Sequence, residues 1–334
     1  MFIVLAIFLG LGYNYFFGGL SFNSTLCLIA GIFLIMPALL KFSFKDLFIL
    51  KEHKTITALN LVLNFLIVPG LFYFIGGLFF EVEYMKYAFL LLGLISGGGL
   101  LLSWAHKTGS DLKLTFSLFI LNFIIFSVLF FPLNDFLLAK GEIYKSSLDT
   151  TSSFINLPNQ NTDITCILDS IVAGCGFTPG QGPSPIAAFL SLILIPFIVS
   201  RFIRLSKSFT NYLSSKIGII SQVATFLIIF YIFSLKEVNN IFNFDYFFIL
   251  KIIGVVLLLY LIIYAITYII YHIYGKTTEV KALFWVTTTR FITLGLIFSF
   301  VYSSVFGVEF LLVFSLAYFV QVFLSVMFTK ILKK

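Results

Sequence analysis

The chain has 334 residues, 60% of them hydrophobic and 10% charged, with a mean hydropathy of +1.10. A soluble domain carries roughly 25% charged residues, so the polar surface here is too small for a water-soluble protein. The sequence reads as a multi-pass protein of the cell (inner) membrane. The net charge of +7 does not point to nucleic acid. No basic run is dense enough to form a patch, and Lys and Arg collect in the cytoplasmic loops of membrane proteins.

A bilayer core of roughly 30 Å takes about 20 apolar residues as helix. Hydrophobic runs between charged or Gly/Pro/Asn-rich breaks predict ten such helices, at 2–18, 24–43, 56–79, 87–105, 114–138, 185–205, 216–234, 246–272, 282–304 and 306–329. The first run has no charged start and no small-residue cleavage site, and is read as a retained helix. Cys27, in the second, is read as a core residue.

The third segment, "TALNLVLNFLIVPGLFYFIGG" (57–77), holds Asn64 and Pro69 in its middle. Asn is costly in lipid, so Asn64 is expected to face the interior. Pro69 frees a carbonyl that can serve as a ligand. The fourth contains Ser96 followed by Gly97, Gly98 and Gly99. Three glycines in one span let a helix break or let a neighbour approach closely. Ser103, His106, Thr115 and Asn122 follow as residues that line a path or satisfy their own helices, with Thr115 and Asn122 candidates for an ion. His106 falls at the membrane edge beside Lys107.

After the fifth helix comes the one long loop, 139–184, rich in Ser, Thr, Asn, Pro and Gly. Its cysteines, Cys166 and Cys175, are equally compatible with a disulfide in an oxidising compartment and with two free thiols. The loop divides the chain into a first five-helix repeat (1–138) and a second (185–334). "NFIIFSVLFF" (122–131) and "VQVFLSVMFT" (320–329) close the two halves with a shared Ser-Val pair. Five plus five turns the second half upside down, the inverted-repeat layout of secondary transporters.

The ninth segment, "ALFWVTTTRFITLGLIFSF" (282–300), carries Arg290 near its middle, behind Thr287, Thr288 and Thr289 and ahead of Thr293. An arginine there costs about 2.5–3.5 kcal/mol on insertion scales. All 14 acids fall in loops or at helix ends. The partner of Arg290 must then be a backbone carbonyl, an end-of-helix acid such as Asp111 or Asp135, or a bound anion. In the tenth segment, Gln321 is another path-lining candidate.

Charge sets the orientation. Of the 21 Lys and Arg, 15 fall in loops 2–3, 4–5, 6–7 and 8–9 and at the C-terminus; five fall on the opposite side, and Arg290 is the remaining one. This places both termini in the cytoplasm and the long loop outside. The sequence shows no metal-ligand cluster, P-loop or nucleophile–base pattern. It is therefore read as neither an enzyme nor an ATP-driven pump, and it calls for no cofactor.

The order of these features resembles the bile acid:sodium symporter family and its relative, the arsenite permease family. The resemblance rests on "GIFLIMPALLKFSFKDL" (31–47), "LNFLIVPGL" (63–71), "SGGGLLLSWAHKTGSDLKLT" (96–115) and "KALFWVTTTRFITLGL" (281–296). It implies ten helices, a core domain and a panel domain, with fourth and ninth helices that are broken and crossed beside the substrate site. In sodium-coupled members two cations sit at that crossing. The ligands of the fourth helix fall here on Leu101 and Leu102, and those of the ninth on Val286 and Arg290. Leucine cannot coordinate sodium and Arg290 repels it, which argues against sodium coupling. The fourth helix also lacks the cysteine of the arsenite permeases.

The resulting expectation is an all-α secondary transporter of a small anion or organic acid. Its substrate residues are Arg290, Thr287, Thr288, Thr289, Thr293, Asn64, Ser96 and Gly97 to Gly99. The bilayer is its partner, and Na+ or H+ stays open as a coupling ion. An arsenite or metalloid efflux permease is the alternative, and a non-transporting receptor or scaffold a further one.

Overall fold

The computed structural model describes residues 2–20, 47–149, 246–292 and 309–333, with scattered positions in the stretches 195–236 and 294–306. The segments expected at 24–43, 185–205 and 216–234 lie wholly or mostly outside these residues. So do the loop beyond Asp149, Thr293 and all three cysteines.

The described elements are helices, joined at two points by isolated bridges between extended residues. In chain order they are α1 (Phe2–Phe17), α2 (Ile49–Glu52), α3 (Lys54–Phe79), α4 (Glu83–Leu94), α5 (Gly99–Lys107), α6 (Leu112–Asp149), α7 (Tyr246–Ile273), α8 (Thr278–Thr288) and α9 (Glu309–Leu332). Among the described residues, four helices are long and apolar enough to cross a membrane: Lys54–Phe79, Leu112–Phe130, Tyr246–Ile273 and Leu312–Leu332.

α3 changes its winding where the sequence dictates. Pro69 offers no N–H and its ring collides with the carbonyl one turn back. The turn before it, Leu63–Ile67, widens to a π-turn. Asn60 and Asn64 stay on the buried face. α4 then packs lengthwise on the second half of α3. A Cβ built at Gly93 would stand 2.9 Å from the Pro69 Cα, so only glycine lets the two backbones close this far.

The segments expected at 87–105 and 282–304 are each interrupted. α4 ends at Leu94 and α5 starts at Gly99. Likewise α8 ends at Thr288, Thr289 is extended (φ −89°, ψ 139°), and helix resumes at Ile292. The fifth helix, expected to stop at 138, continues to Asp149. Polarity ended the apolar run there, but Ala, Lys and Glu are good helix formers, so the helix outlasts its membrane-compatible part. Its start is capped by Asp111, whose Oδ1 accepts from the N–H groups of Lys113 at 2.9 Å and Leu114 at 3.0 Å.

Connections expected on one side of the bilayer meet. Asp111 N donates to Thr278 O at 3.1 Å, joining loops 4–5 and 8–9. Leu20 bridges Leu235, joining loops 1–2 and 7–8. Lys251 lies over the Phe80 ring. Aromatic rings fill the space between the helices, with Phe130 stacked on Phe298 at 4.4 Å and Tyr264 on Phe328 at 4.3 Å. Leu66, Phe74, Leu78, Val128 and Leu250 face outward, as a lipid-facing surface requires.

Candidate functional site

The two interrupted segments cross at their breaks. Gly97 N donates to Thr289 O at 2.8 Å and Phe291 N to Ile95 O at 3.1 Å. Ser96 and Arg290 between them form an antiparallel pair. On the first strand, Ile95 (φ −79°, ψ 81°) makes a tight turn with Ser96 N donating to Leu94 O. Gly97 then takes φ +78° with the Phe119 ring against it. At Gly98 a Cβ would stand 3.0 Å from Arg290 O.

On the other side of the second strand, the Gln321 amide imitates a strand. Its Oε1 accepts from Arg290 N at 2.7 Å and from the Tyr260 hydroxyl at 2.9 Å, and its Nε2 donates to Arg290 O at 3.3 Å. The unwound backbone is thus paired on both edges, the condition for tolerating irregular chain at membrane depth.

The Arg290 side chain is 2% exposed. Nη1 donates to Gly93 O at 3.0 Å and Asn64 Oδ1 at 3.3 Å, and Nη2 donates to Thr287 O at 2.6 Å. Gly93 and Thr287 lie in the last turns of α4 and α8. Their carbonyls belong to the negative ends of two half-helices and have no partner further along the helix. Of the three kinds of partner open to Arg290, the structure supplies backbone carbonyls, supplemented by one amide. Asp111 is engaged at its own helix start. The described hydrogen-bond partners of the guanidinium are all neutral oxygens, and Nε, also buried, has none.

Asn64 passes the interaction on. Its Nδ2 donates to Asn60 Oδ1 at 2.9 Å and to Thr287 Oγ1 at 3.3 Å. Asn60 and Asn122 exchange amide hydrogen bonds, tying α3 to α6. Along Arg290, Asn64 and Asn60 each amide oxygen accepts from the group nearer the cation, and such aligned dipoles reinforce one another.

Several expected site residues are otherwise engaged. The hydroxyls of Thr288 and Thr289 donate to Phe284 O and Trp285 O in their own helix, and Thr115 donates to Asp111 O. Asn122 is committed to Asn60. Ser103 is half-buried and His106 exposed. Ser96 lies at the crossing with its Oγ buried and unpartnered. The sequence reading missed Asn60, Gly93 and Tyr260. Asn60 had a signal, since it stands four residues before Asn64 on the same face.

A second junction ties the far end of α5 to α8. The Trp104 and Trp285 rings stack at 6.2 Å. Trp285 Nε1 donates to Thr108 Oγ1 at 2.8 Å and Lys281 Nζ to Thr108 O at 3.1 Å.

Many secondary transporters build their sites from discontinuous helices whose half-helix ends meet. Residues 27–157 match the model of the Sodium Bile acid symporter family, a family of membrane transporters, and the resemblance read from the sequence is borne out over that stretch. The matched residues include the first break and Asn60, Asn64 and Asn122, and stop short of Arg290. No curated protein matches the chain. The match and the apolar helices together make this a multi-pass membrane protein.

Proposed function

We propose that the chain is a secondary transporter of the bile acid symporter type, with ten helices in two inverted repeats, that carries a small organic anion without sodium. One observation carries this reading. The guanidinium of Arg290 fills the position where the carbonyl ends of α4 and α8 and the Asn64 oxygen converge. In interrupted-helix transporters such carbonyl ends hold the coupling cation, while the amino ends of the half-helices face anionic substrate groups. Here the cation is covalently part of the chain. It cannot leave with each cycle, so it stabilises the crossing permanently and frees the protein from a sodium gradient. The amino end of α5, opened by Gly97 and Gly98, remains for the anion.

The test is uptake of labelled monocarboxylates into vesicles holding the purified protein. Wild-type uptake is expected to be indifferent to an imposed sodium gradient. Arg290→Ala is expected to lose uptake and to regain part of it when sodium or guanidinium ions are supplied to the vacated oxygens. A steep sodium response in the wild type would sink the proposal.

A further inference from the structure

Both terminal nitrogens of Arg290 are hydrogen-bonded to the protein, and Nε is not. Nε is buried without a partner, and so is the hydroxyl of Ser96, a residue 5% exposed. The two residues are direct partners in the antiparallel pair. The hydrogen bonds of that pair flank it, running from Gly97 to Thr289 and from Phe291 to Ile95. That arrangement is the closer of the two kinds of pair, with both side chains on one face and Cβ atoms roughly 5 Å apart. Two orphaned donors on one face of the pair, neither bonded to the other, fit a single acceptor group held between them. Buried polar groups left unpaired are rare, and an unseen bound group is one of the few explanations for them.

We infer that Ser96 Oγ and Arg290 Nε together bind one carboxylate group of the transported anion. This rests on the transporter reading and names the chemistry of its substrate. Three features favour an anion over a neutral acceptor. The described partners of the guanidinium, three oxygens and the Phe72 ring with its centroid 6.0 Å away, are all uncharged. Leu101 N donates to Gly98 O at 3.0 Å, while the two N–H groups before it, at the start of α5 three residues after Ser96, have no acceptor within the helix. The positive end of the α5 dipole lies at the same place. Two side-chain donors and a helix end suit a planar two-oxygen group better than a phosphate, whose further oxygens would be left without donors. Arg290 then has two separable roles: Nη1 and Nη2 hold the crossing, and Nε reads the ligand.

The experiment is thermal unfolding of the purified full chain titrated with acetate, lactate and pyruvate, and with pyruvamide as the uncharged counterpart, for wild type, Ser96→Ala and Arg290→Lys. A ligand that binds the folded state raises its unfolding temperature by mass action. At least one of the acids is expected to stabilise the wild type, and pyruvamide is not. Ser96→Ala is expected to need about tenfold more acid for the same shift, the loss of one hydrogen bond to a charged group. Without ligand its stability should match or exceed the wild type, because the alanine removes an unpaired buried hydroxyl. Arg290→Lys keeps the charge but not Nε, and should lose the response altogether. Ser96→Ala keeps the crossing intact should the lysine variant fail to fold. An equal response in Ser96→Ala and wild type overturns the two-donor site and leaves the transporter reading standing. Equal stabilisation by pyruvamide overturns the carboxylate assignment. No response to any of the three acids, together with no vesicle uptake of them, overturns both.

Discussion

The two breaks solve one problem by different means. The first, between α4 and α5, relies on backbone freedom: Gly97 adopts φ +78° and Gly98 lets the other strand pass close by. The second, after α8, contains no glycine. Thr289 is extended, a conformation that suits a β-branched residue. The polar backbone of this second break is satisfied from outside: Ile95 and Gly97 pair with Phe291 and Thr289 on one edge, and the Gln321 amide pairs with Arg290 N and O on the other. A glycine break is written into its own few residues. A break without glycine depends on partners from other elements, and the Arg290 guanidinium then closes both helix ends at once. The helices flanking the breaks differ in the same spirit. α3 and α6 are joined by the amides of Asn60 and Asn122, whereas α7 and α9 are joined by phenols, Tyr260 to Gln321 and Tyr264 to Ser325.

Three substitutions sharpen the contrast. Gly97→Ala attacks the permissive break. The left-handed conformation and the collision with Phe119 together are expected to cost about 3 kcal/mol, read as a lowered unfolding temperature. Phe119→Leu in the same chain should recover only the part due to collision. Gln321→Leu attacks the partnered break, leaving Arg290 N and O and the Tyr260 hydroxyl without partners, at a cost of about 2 kcal/mol. Gln321→Glu retains the acceptor and should lose less. If the leucine variant unfolds with the wild type, the second break does not depend on that amide. Tyr264→Phe removes one hydrogen bond to Ser325 and keeps the ring stacked on Phe328. It is expected to cost about 1 kcal/mol and to leave anion-dependent stabilisation unchanged.

Much of this was open to sequence reading, for reasons that differ by residue. The glycine run announced the first break, although the helix gives way at Ile95, before the glycines begin. Arg290 announced itself by expense, since a charge at that depth requires a partner. The identity of the partners was closed to inspection, because carbonyls such as those of Gly93 and Thr287 leave no letter in a sequence. Gln321 stood out only as a polar residue in a helix. Its pairing with backbone depends on where α9 runs against the unwound chain, a matter of tertiary packing. The threonines drew attention by their number, yet hydroxyls in helices bond readily to the carbonyl one turn back, and Thr288 and Thr289 do so. The end of α6 was misjudged because hydropathy reports where lipid ends, not where a helix does.

The tryptophan junction has a mechanical consequence. α5 and α8 come from distant parts of the chain, yet they are tied at the crossing by backbone pairing, along their length by Trp104, Trp285, Thr108 and Lys281, and beyond by Asp111 N on Thr278 O. Two rods joined at the crossing and again along their length cannot pivot independently. Any stroke that turns the binding point from one aqueous compartment to the other must move them as a single truss, with the sliding confined to the joints this truss makes with the remaining helices.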